Sequence, residues 1–523
     1  MVKIAMIGAG SLEFTRRLTQ DIINHASLAD AHIALMDIDE GRLEQVAKVM
    51  DNMKEQHKLG CTFSATTDRS QALEGADFVV CTIMVGGIAA YKADVEIPLK
   101  YGVDVCVGDT LNPGGVFRGL RHVPALLELM RDIEELCPDA LFLNHANPMA
   151  ICTWAVQKAF PNLQSVGLCH GTQHTTDLLC KWLRVPEEEC EIAWAGINHM
   201  AWLLKFELNG EDLYPRMWEK LDQEGPIVHE RFRFEMMKAT SYFCTELPGH
   251  TSEYVPYFRH REDLKRLFGG PWLMGETAGD LNARIGMLDF YEQEMGRMAS
   301  GETPVPYEAG KRSEEFTAEI MNARLTGVPF GFAGNVLNKG FITNLPDGCC
   351  VEVPVFADRA GFRATYVGEL PAVCAALCRS NISVQELAVE AAIHGDLEAA
   401  YHACLMDPLT AATLAPHEIR NLVDEMFEAQ MQWLPQFQGK TDDAPGATID
   451  RLETGATEAR AGDDVYPRTR MFGGELGVVS SIFGLADNPG RTSCSSRTED
   501  RRYDPLFRSA CGGRGRGCGR SGG

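Results

Sequence analysis

Positive charge is scarce in this sequence. Its 523 residues include 49 Lys and Arg against 73 Asp and Glu, which gives a formal net charge of −24 at pH 7. A chain this acidic is not expected to bind nucleic acid or an anionic membrane through general electrostatic attraction. Long apolar runs are also missing, since none approaches the roughly 20 residues that a membrane-spanning helix needs, and no signal-peptide pattern follows Met1. We therefore expect a cytoplasmic protein with neither a nucleic-acid nor a membrane partner.

Cysteine, by contrast, is abundant, at 17 residues. The cysteines are spread through a long chain, and many stand inside apolar segments such as residues 79–81. Disulfide frameworks are typical of small secreted domains, whereas an isolated buried cysteine behaves as a small apolar side chain. We expect most of these cysteines to be reduced thiols in the core.

The first part of the chain alternates β-rich runs with amphipathic helical stretches. The predicted strands cover residues 3–7, 31–36, 61–65, 77–82, 103–107 and 140–143. This alternation is typical of a mostly parallel sheet with helices on both faces. We therefore predict an α/β fold in which residues 1–200 form a Rossmann-like, doubly wound domain.

The rest of the chain is predicted to be mainly helical. The predicted helices include residues 313–325, 384–394 and 416–431, and the predicted extended segments include residues 329–335 and 350–356. We assign residues 201–435 to a second, α-rich (α+β) domain for substrate binding, catalysis and oligomerisation. Residues 436–523 lose apolar periodicity and end in Gly and Arg. We interpret them as a disordered tail without catalytic function rather than as an RNA-binding segment.

A nucleotide site is predicted where the first strand ends. The strand runs into Gly8 and Gly10, and Ser11 precedes a helical stretch. A glycine turn between a strand and a helix N-terminus brings backbone N–H groups against a pyrophosphate, although the third glycine of the full fingerprint is absent here. Asp37 ends the second strand, where a carboxylate can accept hydrogen bonds from a ribose diol, which favours NAD over NADP. The loop at Gly86 is a candidate neighbour of the nicotinamide ribose.

Three polar clusters follow apolar runs, at residues 144–148, 167–170 and 196–200. Ligands gather at the carboxyl ends of strands in open α/β sheets, so these clusters can converge on one crevice. A cysteine thiolate and a histidine imidazole from these clusters could then hold a divalent ion and leave positions open for substrate hydroxyls. Such an ion would stabilise negative charge on a ketone or enediolate oxygen.

At these residues the sequence resembles glycoside hydrolase family 4, and within it the melibiase-type α-galactosidases. The matching segments are IGAGS at 7–11, IALMDID at 33–39, GDTLNPGG at 108–115, NPMA at 147–150, CHG at 169–171, AGINHMA at 195–201 and NLPDGCCVEV at 344–353. The resemblance covers about residues 1–435. It implies NAD⁺, Mn²⁺ or another divalent metal, a small α-glycoside substrate, and a homodimer or homotetramer.

The resemblance also implies a reaction without paired acid and base carboxylates, an exception that applies to NAD-dependent glycosidases. NAD⁺ takes a hydride from C3 of the sugar, which acidifies the C2 proton. A base removes that proton, the C1 leaving group departs, water adds, and the hydride returns, so no net redox change occurs.

The family's residue roles fall on particular positions of this chain. The metal ligands fall on Cys169 and His199, and Asn147 is expected to hold substrate hydroxyls. His170 stands at the position of the acid, and the base in the segment SEYVPY falls on Tyr254.

Asp109 and Arg118 are further candidates for substrate binding. A phenol base with an ordinary pKa near 10 needs a nearby cation to act at neutral pH.

Several alternatives remain open in the sequence. Melibiase-type members usually carry Ser after the Cys-His pair, whereas this chain has Gly171, so an α-glucoside or an α-hexuronide remains an alternative substrate. Arg118 and Arg121 leave room for a hydroxy-acid dehydrogenase that consumes NAD⁺ stoichiometrically. A non-catalytic protein that senses NAD or a sugar is a third alternative.

Overall fold

The computed structural model of the protein describes residues 1–439, so nearly all of the predicted tail lies outside the described residues. The strands are β1 Lys3–Ile7, β2 His32–Met36, β3 Thr62–Thr66, β4 Phe78–Cys81, β5 Leu141–Asn144, β6 Ser165–Gly167, β7 Cys190–Ile197, β8 Met200–Leu208, β9 Glu211–Asp212, β10 Phe330–Leu337, β11 Cys350–Asp358 and β12 Gly361–Ala364.

Helices occupy most of the remaining described chain. The α-helices are α1 Leu12–Ile23, α2 Glu40–His57, α3 Arg69–Leu73, α4 Gly87–Lys100, α5 Asn112–Leu136, α6 Met149–Ala159, α7 Gly171–Leu183, α8 Tyr214–Glu224, α9 Arg231–Thr240, α10 Pro248–Glu253, α11 Glu262–Phe268, α12 Gly279–Ala299, α13 Thr317–Thr326, α14 Ala372–His394, α15 Leu397–Met406, α16 Pro408–Thr413 and α17 Pro416–Gln430. Short 3-10 helices occupy Glu187–Glu189, Trp272–Met274, Met431–Trp433 and Pro435–Phe437.

All described strands belong to one 12-stranded sheet, in the order β3-β2-β1-β4-β5-β6-β10-β11-β7-β8-β9, with β12 paired to β11. The first six strands of that order are parallel to one another. Their order is that of the dinucleotide-binding doubly wound fold. The prediction of a Rossmann-like, mostly parallel sheet is confirmed.

The inner parallel strands β4 and β5 are apolar because helices cover both of their faces. Every residue of β4 and β5 is buried, as expected for strands inside a parallel sheet. The connecting helices begin at side-chain caps where the loops supply acids. Asp39 accepts a hydrogen bond from the Arg42 N–H at the start of α2, at 3.0 Å, and Asp68 accepts from two N–H groups of α3. These caps satisfy donors that a helix N-terminus otherwise leaves free.

An antiparallel extension joins the parallel half of the sheet to later parts of the chain. The register aligns Gly167 of β6 with Asn335 of β10, Asn335 with Glu352 of β11, and Glu352 with Gly196 of β7. This row connects the carboxyl end of β6 to the turn between β7 and β8. The two predicted metal ligands, Cys169 and His199, follow the two ends of this row.

The predicted boundary at residue 200 falls inside the hairpin formed by β7 and β8, and the described residues belong to one compact unit. The division at residue 200 therefore stays a prediction.

The helices predicted around residues 313–325, 384–394 and 416–431 correspond to α13, the second half of α14, and α17.

One predicted strand is wrong. Residues 103–107 form an irregular buried segment, because their N–H groups bond a carboxylate instead of a neighbouring strand. The Glu253 side chain accepts hydrogen bonds from the N–H groups of Cys106 at 2.6 Å, Val107 at 2.7 Å and Gly108 at 3.1 Å. The β-rich composition of residues 103–107 reflects burial, which sequence patterns do not separate from strand pairing.

All cysteines among the described residues are free thiols, and most of them are buried. Across residues 1–439, no helix combines the length and apolar character needed to cross a membrane.

Candidate active site

The glycine turn after β1 is tightly packed against the neighbouring strand ends. Gly8 has a φ of +90°, and a Cβ atom there would lie 2.8 Å from the backbone nitrogen of Ile83. The N–H groups of Gly8 and Ala9 donate to the Met36 carbonyl. Residue 8 must therefore be glycine for both conformation and space.

Gly10 makes room for the acid at the end of β2. Its N–H donates to Asp37 Oδ2 at 2.8 Å, and a Cβ atom on Gly10 would lie 2.7 Å from that same oxygen. Asp37 is half-buried, and its second oxygen accepts the N–H of Asp39 at 2.9 Å. Ser11, exposed before α1, makes no side-chain cap. The turn, the free helix N-terminus and Asp37 fit the pyrophosphate and ribose of a dinucleotide.

The predicted loop at Gly86 lies at the carboxyl end of the adjacent strand, β4. Gly86 has a φ of +78° and precedes α4. The Trp433 ring lies over Gly86, and a Cβ atom at this position would come within 3.2 Å of that ring. His122 anchors the loop by accepting the Val85 N–H at 3.2 Å. The loop is thus held between α5 and the chain after α17.

Cys169 and His199 lie together, with a carboxylate that the sequence analysis did not identify. Ligand atoms of Cys169, His199 and Glu246 all lie within 4.8 Å of one another. His199 sits in the tight turn between β7 and β8 with a φ of +62°. Glu246 Oε2 lies 3.0 Å from His199 Nε2. A thiolate, an imidazole and a carboxylate are a donor set that divalent transition metals bind.

The pKa values around this cluster reflect burial without an ion. Burial raises the pKa of the Cys169 thiol well above its ordinary value, and the charges of Glu246 and Glu352 raise it further. Burial lowers the pKa of His199 to about 4, so the ring is neutral, which is the form that binds metals. A bound cation would favour the thiolate.

A buried ion-pair network extends from the cluster towards the predicted substrate residues. His250 Nδ1 lies 2.9 Å from Glu246 Oε2, and His250 Nε2 lies 3.2 Å from Asp109 Oδ1. Asn147 Nδ2 donates to Asp109 Oδ2 at 2.9 Å. Arg118 donates to the Asn147 carbonyl at 3.2 Å. Asp109, Asn147 and Arg118 are therefore connected to each other. Through His250 they are also connected to the candidate metal cluster, which consists of Cys169, His199 and Glu246.

His170 follows Cys169 in the chain and lies against a second buried acid, Glu315. Its Nδ1 lies 3.3 Å from Glu315 Oε1, while 49% of the His170 side chain is exposed. Desolvation opposes protonation, but the hydrogen bond and charge of Glu315 raise the pKa of His170 to about 9. His145 Nδ1 lies 3.7 Å from the other oxygen of Glu315. A protonated, accessible imidazole is suited to donate a proton.

Tyr254 follows α10 and is 2% exposed. Its ring centroid lies 6.1 Å from that of His199. Burial raises the pKa of Tyr254 well above its ordinary value, the Thr110 hydroxyl opposes the shift, and the charge of Asp109 adds to it. Tyr254 therefore stands beside the metal cluster, but ionising its phenol requires a nearby positive charge.

Three residues of this site were missed by the sequence analysis, namely Glu246, His250 and Glu315. Glu246 precedes α10, which begins at Pro248, so its pairing with His250 does not follow from helical spacing. The available signal was that both residues lie shortly before the SEYVPY segment at 252–257. Glu315 had no local signal, because its partner His170 is far away in the sequence.

Arg121, a candidate for the dehydrogenase alternative, is instead engaged in structural hydrogen bonds inside the protein. Its guanidinium donates to both oxygens of the buried Asp94, at 2.8 and 2.6 Å, and to Gln430. A fully paired arginine of this kind is not free to bind a carboxylate substrate.

Comparison with family models identifies two regions of the chain. The model described as family 4 glycosyl hydrolase matches residues 3–185. The model of the family 4 glycosyl hydrolase C-terminal domain matches residues 194–410. The metal cluster takes Cys169 from the first region and both of its other members from the second.

Individual relatives agree with these models. The chain is 40% identical over 447 residues to the alpha-galactosidase of Rhizobium meliloti (strain 1021), covering 84% of this chain and 91% of the relative. It is 37% identical to the alpha-galactosidase of Bacillus subtilis (strain 168), covering 84% of this chain and 100% of the relative. Its fold matches the crystal structure of a 6-phospho-alpha-glucosidase from gut microorganisms in complex with NAD and Mn²⁺, with a TM-score of 0.70, 22% identity, and coverage of 84% of this chain and 100% of that one.

Proposed function

Since the chain belongs to the family 4 glycosyl hydrolases, we propose that it is an α-galactosidase that depends on NAD⁺ and on a divalent metal ion such as Mn²⁺. The observation that carries this proposal is the convergence of Cys169 and His199, whose ligand atoms lie within 4.8 Å of each other. Cys169 follows β6, in the same parallel sheet in which the Gly8 turn follows β1. β1 and β6 are separated by three strand spacings, roughly 15 Å, which is within reach of an extended dinucleotide.

When bound, NAD⁺ supplies reversible acceptance of a hydride, and a divalent ion supplies positive charge beside the sugar oxygens. The protein's own side chains supply the proton transfers and the orientation. Tyr254 receives the C2 proton of the sugar, and His170 donates a proton to the departing glycosidic oxygen. Asn147, Asp109 and Arg118 orient the hydroxyl groups of the bound sugar.

The buried network supports these orienting roles. Asp109 is held by His250 and Asn147, so its carboxylate keeps one position. The charge and hydrogen bond of His250 hold the pKa of Asp109 far below its ordinary value, although burial opposes this. An ionised Asp109 can accept hydrogen bonds from sugar hydroxyl groups.

Hydrolysis of an aryl α-galactoside tests the proposed function. We expect release of the aryl group only when both NAD⁺ and Mn²⁺ are present, with NAD⁺ needed in catalytic amount and no accumulation of NADH. Cys169→Ser should abolish nearly all of this release. Net NADH formation in proportion to product would instead identify a dehydrogenase, and release that Cys169→Ser leaves unchanged would contradict a metal-dependent reaction.

The identity of the sugar needs a separate comparison. Gly171 leaves α-glucosides and α-hexuronides as second candidates. A panel of aryl α-galactoside, α-glucoside and α-galacturonide should give the highest kcat/KM for the galactoside. A higher value for either of the others would reassign the substrate within the same chemistry.

We also propose that the protein acts in the cytoplasm as a homodimer or homotetramer. The free thiols support a reducing compartment, and the family resemblance supports assembly. Size-exclusion chromatography with light scattering should give two or four times the chain mass of 57.6 kDa.

A further inference from the structure

We propose that Glu246 is a third protein ligand of the divalent ion at Cys169 and His199, completing a Cys-His-Glu metal site. This inference rests on the proposed function, because it concerns the same ion. It assigns a role to a residue that the sequence motifs of the metal site do not include.

Glu246 Oε2 points into the group formed with His199 and His250. This oxygen lies 3.0 Å from His199 Nε2 and 2.9 Å from His250 Nδ1. Neither contact has the alignment of a hydrogen bond, and among the described residues the buried oxygen has no hydrogen-bond donor. The Glu246 side chain is 6% exposed. The His250 ion pair offsets part of the cost of burying this charge, and a bound cation would take the place that a hydrogen-bond donor leaves open.

His250 and Asp109 hold the Glu246 carboxylate in place. Metal-binding carboxylates are commonly held by neighbouring groups, which fix their orientation. Here His250 lies between Glu246 and Asp109. The centroids of the His250 and His199 rings are 3.9 Å apart. The same Asp109 accepts the amide of Asn147. One chain of contacts therefore connects the proposed ligand to the residue expected to hold the sugar.

The absence of a side chain at Gly171 gives the Glu246 side chain room. Gly171 begins α7, two residues after Cys169, and a Cβ atom there would lie 2.4 Å from Glu246 Cγ. Even an alanine at position 171 would displace the carboxylate. The glycine after Cys169 and His170 thus allows Glu246 to reach the site.

A carboxylate ligand affects which ion the site prefers. Thiolate and imidazole alone suit zinc, whereas a carboxylate oxygen adds a harder ligand that suits ions such as Mn²⁺. Its negative charge also offsets the charge of the ion in a buried setting.

Mn²⁺ binding to the full chain, measured by electron paramagnetic resonance of free Mn²⁺, tests the proposal without relying on activity. Glu246→Gln keeps the side-chain size and removes the charge, and should weaken Mn²⁺ binding by at least about tenfold. Glu398→Gln is the control. Glu398 lies in α15, outside the group of Cys169, His199 and Glu246, and pairs with Arg420 through both carboxylate oxygens, at 2.9 and 2.8 Å, so its substitution should change the affinity by less than about threefold. Thermal unfolding without metal should show that both variants are folded.

A double-mutant cycle adds a second measurement. Gly171→Ala should also weaken Mn²⁺ binding because it displaces Glu246, and it should add little to the loss already caused by Glu246→Gln. Independent, additive losses would contradict the proposal.

Cys169→Ser separates the two hypotheses. Loss of Mn²⁺ binding in Cys169→Ser with unchanged binding in Glu246→Gln would overturn the third ligand and leave the proposed function standing. Absence of Mn²⁺ binding in the unmodified protein would overturn both.

Discussion

Tyr254 illustrates how the environment of a single residue sets the conditions for its chemistry. Its phenol is buried, and the charges of Asp109 and Glu246 raise its pKa beyond the effect of burial. A tyrosinate would therefore be least stable when the site holds these two carboxylates and no compensating cation. With an ion beside His199, the same carboxylates would be neutralised and the phenol could ionise more easily. Removal of the C2 proton should accordingly depend on the metal.

Tyr254→Phe tests this role at the residue scale. The substitution removes only the hydroxyl and should lower kcat by about 10² to 10⁴-fold, the usual contribution of a general base, while Mn²⁺ affinity changes little. The exchange of C2 deuterium from a labelled substrate into water should disappear with it. Tyr257→Phe is the control, because Tyr257 lies three residues later and is 50% exposed. Retention of deuterium exchange in Tyr254→Phe would show that another group is the base.

At the scale of elements, one short stretch around α10 carries several connections of the site. Glu246 and His250 face the metal cluster, and Glu253 holds the irregular segment before Asp109. Arg259 then anchors the stretch, donating through Nε to the Asp104 carbonyl at 2.9 Å and through Nη2 to its carboxylate. The geometry of the site therefore depends on how firmly this stretch is fixed.

The pH dependence of stability tests that anchor. Burial alone would raise the pKa of Asp104, but Arg259 and the hydrogen bond from Lys265, at 2.6 Å, hold it below its ordinary value near 3.8. A carboxylate with a lowered folded-state pKa stabilises the fold fully above its unfolded-state pKa, and this contribution is lost as the pH falls from there through the lower folded-state pKa. Asp104→Asn should therefore cost about 3–5 kcal/mol at pH 7, and the difference from the unmodified protein should shrink below about pH 4.

Urea unfolding at pH 7, 5 and 3.5 measures this difference. Asp263→Asn is the control, since Asp263 pairs with Arg261 on the surface with 65% of its side chain exposed. A loss of stability in Asp104→Asn that is equal at all three pH values would contradict the electrostatic origin of the anchor.

For the whole molecule, the sequence predicted the parallel half of the sheet well, because each strand and its following helix are adjacent in the chain. Gly10 and Asp37 could be assigned to one predicted nucleotide site for the same reason, since each follows a predicted strand closely in the chain. The irregular segment at residues 103–107 was misread because its partner, Glu253, lies about 150 residues away. Glu315 was missed for the same reason. Contacts between distant segments determine these features, and a single sequence contains no local pattern that reports them.

The end of the described chain provides the last prediction. Gln430 donates to Asp94 at 3.0 Å and accepts from Arg121, both buried, and Gln436 donates to the Leu120 carbonyl at 2.8 Å. Trp433 covers Gly86, beside the proposed nicotinamide site.

A chain shortened to residues 1–439 should keep the activity and thermal stability of the full chain. A chain shortened to residues 1–429 should unfold at a lower temperature and bind NAD⁺ more weakly, because it leaves Arg121 and Asp94 incompletely paired and uncovers Gly86. Calorimetry and fluorescence titration with NAD⁺ measure both effects, and equal behaviour of the two shortened chains would show that residues 430–439 do not shape the cofactor site.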